Sequence, residues 1–203
     1  MKKLIAMMAI VATSSAAMAQ TEGFTKGSLF LSGSIGLSSN KTPDGADEVK
    51  TTSFNFSPRL GYFVSSNIAV GINASIGSTK YTNTGTDGET KDMEMTLGVF
   101  GRYYFNPANK FSMFLNLGAD YVADKRTTEF GGLETEFKES GFQAGLAPGL
   151  HYFISNRLAL ETSVGLLGFR SMKPDVDNAE ATTDFDFNLG LNNLSFGIVY
   201  KLK

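Results

Sequence analysis

From Leu29 to the C-terminus, apolar residues recur at every second position in one run after another, the period of a strand with a single apolar face. The first run sets Leu29, Leu31, Ile35 and Leu37 against Phe30, Ser32, Ser34 and Gly36. The second places Phe54, Phe56, Leu60, Tyr62 and Val64 opposite Asn55, Ser57, Arg59 and Gly61. Only Ser65-Ser66-Asn67 separates it from a third, with Ile68, Val70, Ile72 and Ile76 on the apolar side, which predicts a tight hairpin. Runs from Met93 to Phe105, Phe111 to Tyr121, Phe142 to Tyr152 and Leu158 to Leu166 repeat the pattern. In the last run Leu194, Phe196, Ile198, Tyr200 and Leu202 alternate with Ser195, Gly197, Val199 and Lys201.

Short turns and long polar segments alternate between these runs. Asn106-Pro107-Ala108-Asn109 and Ser155-Asn156 are short, like Ser65-Ser66-Asn67. Ser39 to Lys50, Thr79 to Lys91, Ala123 to Glu139 and Arg170 to Thr183 read as four long loops, the first marked by Pro43-Asp44-Gly45. The predicted fold is all-β, eight antiparallel strands in an up-and-down meander that closes into a barrel. Short turns and both termini share one end; long loops occupy the other. Phe185, Phe187, Leu189 and Leu191 are odd-numbered whereas Leu194 onward is even, which predicts a β-bulge at Asn192-Asn193. The segments Pro58 to Val70 and Pro148 to Leu160 align without a gap, sharing Pro, Leu, Tyr-Phe, Ser and Ala around a short turn.

Periodicity leaves open which face is inside. A soluble, lipocalin-like barrel holds its apolar side chains inward around a ligand. Here the polar faces carry most strand glycines together with Arg59, Glu94, Arg102, Asp120 and Glu161, a mixture that suits the packed lumen of a narrow barrel. The apolar faces are long enough for the about 9–11 residues a tilted strand needs to cross a bilayer. Aromatics gather near both ends of those faces, Tyr62, Tyr103, Phe105, Phe111, Tyr152 and Tyr200 at the short-turn end and Phe54, Tyr121, Phe142 and Phe185 at the other. Two such girdles mark a membrane barrel.

Composition agrees. Lys2 and Lys3 precede an apolar run from Leu4 to Ala12 and an Ala17-Met18-Ala19 cleavage site, so residues 1–19 read as a secretory signal peptide and 20–203 as the barrel domain. The chain has no Cys, which excludes disulfides, zinc-thiolate sites and a Cys nucleophile. Removing residues 1–19 takes away two lysines and no acids, leaving 16 basic against 20 acidic residues, a balance that does not suit a nucleic-acid binder. No later apolar run is long enough for a membrane helix, and only helices and closed barrels satisfy every backbone group in lipid.

Candidate chemistry is sparse. Arg59 and Arg102 are expected to pair with some of Glu94, Asp120 and Glu161, since buried charges are costly unless paired, and no particular pairing follows from the sequence. The one histidine, His151, lies beside a short turn and away from the long loops, so a Ser-His pair at the outer rim is not available. No catalytic residue, cofactor or metal site is assigned. Asp175 and Asp177 are spaced like calcium ligands but lack the glycine and glutamate of an EF-hand loop, and read as solvated acids. Loop three mixes Lys125, Arg126 and Lys138 with Glu129, Glu134, Glu136 and Glu139, and its cations could contact lipopolysaccharide phosphates.

The final strand resembles the C-terminal signal strand of bacterial outer-membrane barrels, with Ser195, Gly197, Tyr200 and Leu202 in its polar, glycine and two hydrophobic slots, although Lys203 follows where that family ends on an aromatic. With the glycine-rich strands and the Tyr-Phe pairs at Tyr62, Tyr104 and Tyr152, the whole mature chain resembles the small OmpA/OmpX-type outer-membrane β-barrel domains. That resemblance implies a bacterial outer-membrane location, lipid and lipopolysaccharide as surroundings, and assembly by the barrel-insertion machinery. The expected function is structural or adhesive, four outer loops facing an extracellular ligand and the termini facing the periplasm. A narrow, porin-like passive channel through the charged lumen is the alternative, and a soluble periplasmic binder of apolar ligands the second.

Overall fold

A computed structural model describes residues 23–44, 47–83, 85, 88–188 and 194–203. The predicted signal peptide and the predicted bulge at Asn192-Asn193 lie outside the described residues. The strands are β1 (Leu29–Asp44), β2 (Asp47–Phe63), β3 (Ile68–Asn83), β4 (Gly88–Tyr104), β5 (Phe111–Phe130), β6 (Leu133–Phe153), β7 (Leu158–Val164), β8 (Leu167–Pro174), β9 (Thr182–Phe187) and β10 (Leu194–Lys201).

These segments make the eight strands of a closed antiparallel barrel. β1 to β6 pair in sequence; β7 and β8 follow one another along β6, and β10 and β9 lie beside them. Closure comes from β1 and β10, paired from Phe30↔Lys201 to Gly33↔Ile198, with Leu202 N donating to Leu29 O at 2.8 Å. Beyond Gly33, β1 pairs only with β2, and β9 only with β8, among the described residues.

Three of the four predicted loops are not loops. The β1–β2 ladder continues to Asp44↔Asp47, β3–β4 to Asn83↔Gly88 and β5–β6 to Phe130↔Leu133, so of the four predicted loops only the last, at residues 175–181, forms an irregular connection among the described residues. Alternation of apolar and polar residues reports a face against lipid, and it fades where both faces meet water. Backbone pairing needs no such contrast, so the ladders run on through Thr-rich polar sequence. Gly131 and Gly132 turn the longest hairpin with φ of 58° and 79°, the left-handed pair that suits a two-residue turn.

The seventh strand also differs from expectation. Instead of ending at Leu166 before a loop, it is interrupted at Gly165 and Leu166 and resumes as β8. Its register on β6 moves by one residue, from Gly149↔Ser163 to Leu146↔Leu167. A one-residue slip exchanges the faces. Phe169 therefore points outward and Arg170 inward, matching the odd parity of Phe185 and Phe187 on β9.

The apolar faces lie outside, which overturns the alternative of a soluble binder with an apolar interior. Leu37, Ile72, Leu97, Leu117 and Phe196 are all more than half exposed, an apolar surface that is stable only against lipid. Its aromatic borders, Phe111 to Tyr121 on β5 and Tyr152 to Phe142 on β6, are separated by about the 9–11 residues of a membrane-crossing strand. β5 and β6 have 20 and 21 residues, so their hairpin extends well past that belt.

The aligned segments around Asn67 and Arg157 form the same turn. Ser65 Oγ accepts from Ile68 N at 3.1 Å, and Ser155 Oγ from Leu158 N at 3.0 Å. One serine satisfies the turn's free amides in each case.

Candidate functional site

The lumen is filled in layers, starting with a stopper at the short-turn end. Residues 23–28 cross beneath the barrel mouth, and Phe24 inserts its ring among Phe30, Phe63, Tyr104, His151 and Phe153, with centroid separations of 4.7–5.7 Å. Phe24 N donates to Pro107 O at 2.7 Å, Gly27 N to Phe63 O at 2.9 Å, and Lys201 Nζ to Gly23 O at 2.6 Å. The strap is thus tied to the turn after β4, to the end of β2 and to the closing strand. At Gly23, where φ is 106°, a Cβ would run into the Ala108 backbone. Gly61 and Gly149 leave the wall bare where the rings of Phe30 and Phe114 lie on it. Phe24 goes unassigned from the sequence, where a lone aromatic in the polar segment before Leu29 is its one visible signal.

Above the stopper lies an ion-paired layer. Arg102 Nη1 donates to Glu161 Oε2 at 2.7 Å and to the Tyr104 hydroxyl at 3.1 Å, and Arg59 Nη1 reaches Glu161 Oε1 at 3.4 Å. Arg102 is 1% exposed and its guanidinium carbon stands 4.1 Å from the Phe114 ring centroid. The planar cation is held between a carboxylate and π faces, an arrangement that suits Arg over Lys. Both predicted arginines therefore meet one acid, Glu161.

The other predicted acids have different partners. Asp120 accepts from Asn73 Nδ2 and, at 3.2 Å, from Gln143 Nε2. Glu94 receives Arg170 Nη2 at 3.0 Å, and the same nitrogen reaches Asp124 Oδ2 at 2.6 Å. Arg170, assigned to a loop from the sequence, belongs in the lumen because of the slip at Gly165-Leu166. Beyond this layer the hairpin end opens into a cavity of about 400 Å³ whose walls include Asn55, Thr79, Asp92, Asp124, Phe137 and Glu139.

Cross-strand neighbours Ser112, His151 and Glu161 face inward in one row, the residue types of a nucleophile–base–acid relay. The relay contacts are missing. Ser112 Oγ donates to Met113 O at 3.3 Å, neither His151 nitrogen has a hydrogen-bond partner among the described residues, and Glu161 is held by the arginines. All three side chains are buried inside the barrel, away from the hairpin end. Asp175 and Asp177 lie exposed on the 175–181 connection.

In the last strand, Ser195 Oγ and Ser163 Oγ are 2.8 Å apart, Tyr200 faces Leu31 and Leu158, and Leu202 caps the closing ladder. A Cβ at Gly197 would stand 3.1 Å from Gly33 O, so this glycine lets the closing strands approach.

A closed eight-stranded barrel with an apolar outside and a packed polar lumen defines an outer-membrane β-barrel protein. The chain belongs to the outer membrane protein beta-barrel domain family, whose model matches residues 5–201, and the family is one of the bacterial outer membrane. Among solved structures it is similar to the outer membrane protein OprG from Pseudomonas aeruginosa, with a TM-score of 0.52 and 13% identity over 88% of this chain and 97% of that one. It is also similar to Ail, the attachment invasion locus protein of Yersinia pestis, with a TM-score of 0.41 and 18% identity over 87% of this chain and 99% of the other. No curated protein matches the sequence.

Proposed function

We propose that this protein is a sealed, non-catalytic outer-membrane barrel that holds rigid β-hairpins outside the cell for structural or adhesive contacts. The observation that carries the reading is the stoppered lumen: Phe24 and its aromatic neighbours fill the short-turn end, and Arg102 and Glu161 bridge the space above them. A porin-like path is disfavoured by that filling. The short turns and termini face the periplasm in this reading, and the hairpins face outward. The last strand, with Ser195, Gly197, Tyr200 and Leu202, is the segment the insertion machinery reads.

The hairpins have the properties of a contact surface. The β5–β6 ladder is continuous to its tip, where Phe130 and Leu133 flank the two glycines and are exposed by 62% and 77%. Large apolar side chains in water at the end of a stiff scaffold suit a partner's surface.

The test replaces residues 127–136 with an Asn-Gly turn in the full chain. The expected result is an unchanged heat-dependent gel mobility shift, a silent planar bilayer before and after replacement, and reduced attachment of cells to an abiotic or host-cell surface. Discrete openings from the unaltered protein, or attachment that survives the replacement, would overturn the proposal.

A further inference from the structure

The two ends of the barrel carry different charge patterns. On the hairpins both signs occur together. Lys41, Lys80 and Lys125 stand directly across from Lys50, Lys91 and Lys138, and Glu48, Glu89 and Glu136 reach the first lysine of each pair. The short-turn end holds only bases: Lys26 on the strap, Lys110 in the β4–β5 turn, Arg157 in the β6–β7 turn, and Lys201 and Lys203 at the end of the last strand. No aspartate or glutamate accompanies them among the described residues. The acid nearest along the chain, Glu161, is turned into the lumen and held by Arg102. An ordinary solvated surface intersperses the two signs.

Backbone bonds fix these bases around the strap. Phe24 N, two residues before Lys26, donates to Pro107 O in the turn that carries Lys110, and Gly27 N, one residue after it, donates to Phe63 O. Leu29 N donates to Lys203 O at 3.1 Å, and Lys201 N to Arg157 O at 2.7 Å. Lys201 Nζ is itself tied to Gly23 O. Lys26, Lys110 and Lys203 are exposed and make no ion pair with another described residue. The surface between them is polar, with Thr25, Ser66, Asn106, Asn109 and Asn156 exposed, while Phe105 and Ile154 continue the outward apolar belt. A specific protein–protein interface has an apolar centre and keeps its charges at the rim. Here the charges occupy the face and the apolar centre is missing.

We propose that the short-turn end is a docking face for the carboxylate-bearing peptide stems of the cell wall, so that the barrel makes contacts on its inner side as well as through its hairpins. Cations held at fixed points, without acids among them, attract a polymer that presents many carboxylates, and several weak contacts at once add up to a useful affinity. Four of the five bases are lysines. An ammonium is a point charge that meets a carboxylate from many directions, whereas a guanidinium fork favours one planar geometry. Lys26 lies on the strap, inside the line of the barrel wall, where phospholipid headgroups do not reach; this favours a polymer in the periplasm over the surrounding leaflet. The inference rests on the reading above that the short turns face the periplasm.

The test sediments the full-length barrel, folded in zwitterionic detergent micelles, with purified peptidoglycan sacculi and with sacculi whose stem carboxylates have been amidated. Lys26→Gln, Lys110→Gln and Lys203→Gln are combined in one variant; Lys50→Gln, Lys91→Gln and Lys173→Gln together remove the same charge at the hairpin end. The unaltered barrel is expected to sediment with untreated sacculi, less so as salt is raised, and not with amidated ones. The short-turn variant is expected to lose affinity by about threefold for each lysine removed, while the hairpin variant binds as the unaltered protein does. Equal sedimentation with amidated sacculi, an unaffected short-turn variant, or an equal loss in the hairpin variant would each overturn the proposal, given barrels that keep their heat-dependent mobility shift. Sacculus binding abolished by phosphatidylglycerol in the micelle would assign the face to a lipid headgroup and overturn it too. Orientation is read separately with Lys110→Cys, the chain having no other Cys. A membrane-impermeant thiol reagent is expected to label it only after the outer membrane is permeabilised; labelling in intact cells would overturn the orientation, and the cell-wall contact with it.

Discussion

Arg102 and Glu161 meet at 2.7 Å in the middle of the barrel, contributed by β4 and β7, and each is almost fully withdrawn from water. Neither strand is the other's neighbour in the sheet, so the contact ties opposite walls together. Removing one partner of such a pair leaves an uncompensated buried charge. Arg102→Met is therefore expected to destabilise the barrel by about 3–5 kcal/mol, measured as a shift in the urea midpoint of the unheated gel band. Glu161→Gln added to Arg102→Met should recover part of that loss. If the single variant unfolds at the same urea concentration as the unaltered chain, the pair does not hold the lumen together.

Phe24 is 1% exposed and touches five aromatic rings, including His151. Phe24→Ala is expected to cost about 3–5 kcal/mol, the range for emptying a buried aromatic site. It should not open a channel, because Arg102, Arg59 and Glu161 still cross the lumen above it. Conductance is expected only when Phe24→Ala is combined with Arg102→Ala, recorded in planar bilayers. Openings from Phe24→Ala alone would show that the ion-paired layer does not seal.

The hairpin tip should respond to acid. Hydrogen bonds from Lys125 and Lys138 hold the Glu136 carboxyl below the ordinary glutamate value. A depressed folded-state value means that its contribution is present above the unfolded value and is lost as pH falls through the folded one. Amide exchange at Thr127 and Thr128 is therefore expected to accelerate, after correction for intrinsic rates, below the ordinary glutamate range. Lys125→Gln should move the onset to higher pH. A tip whose protection is indifferent to pH, or to that substitution, would contradict the assignment.

The seam between first and last strands is paired over Phe30 to Gly33, whereas β2 and β3 are paired along most of their length. Seam-facing amides of β1 beyond Gly33 are expected to exchange with solvent or headgroup water sooner than the β2–β3 amides at the same height. Cys substituted at Ile35 and Phe196 should cross-link less readily than Cys at Leu31 and Tyr200, which face each other in the ladder. Equal cross-linking would mean that the closing ladder continues past Gly33.

The alternating runs were legible because a strand between lipid and a packed lumen must change character at every residue. Leu97, Val99, Leu115 and Leu117 declare an outer face wherever they occur, and the short turns after Val64 and Ile154 are written in their serines. The same rule fails above the bilayer. Thr127, Thr128, Thr135 and Glu136 show no contrast between faces, yet they pair as regularly as the apolar residues below them.

Composition and periodicity thus determined the all-β meander, its eight strands and the division into apolar and polar faces, since each depends on neighbours along one strand. Tertiary structure decided what depends on distance across the barrel. It chose Glu161 for both predicted lumen arginines, brought Arg170 inward through a one-residue slip at Gly165-Leu166, and drew Phe24 from the segment before β1 into the lumen. It also set lysine against lysine on three hairpins, because cross-strand register is fixed by ladders and turns. None of these has a local signature: a charge finds its partner, and a ring its cavity, only when the sheet has closed.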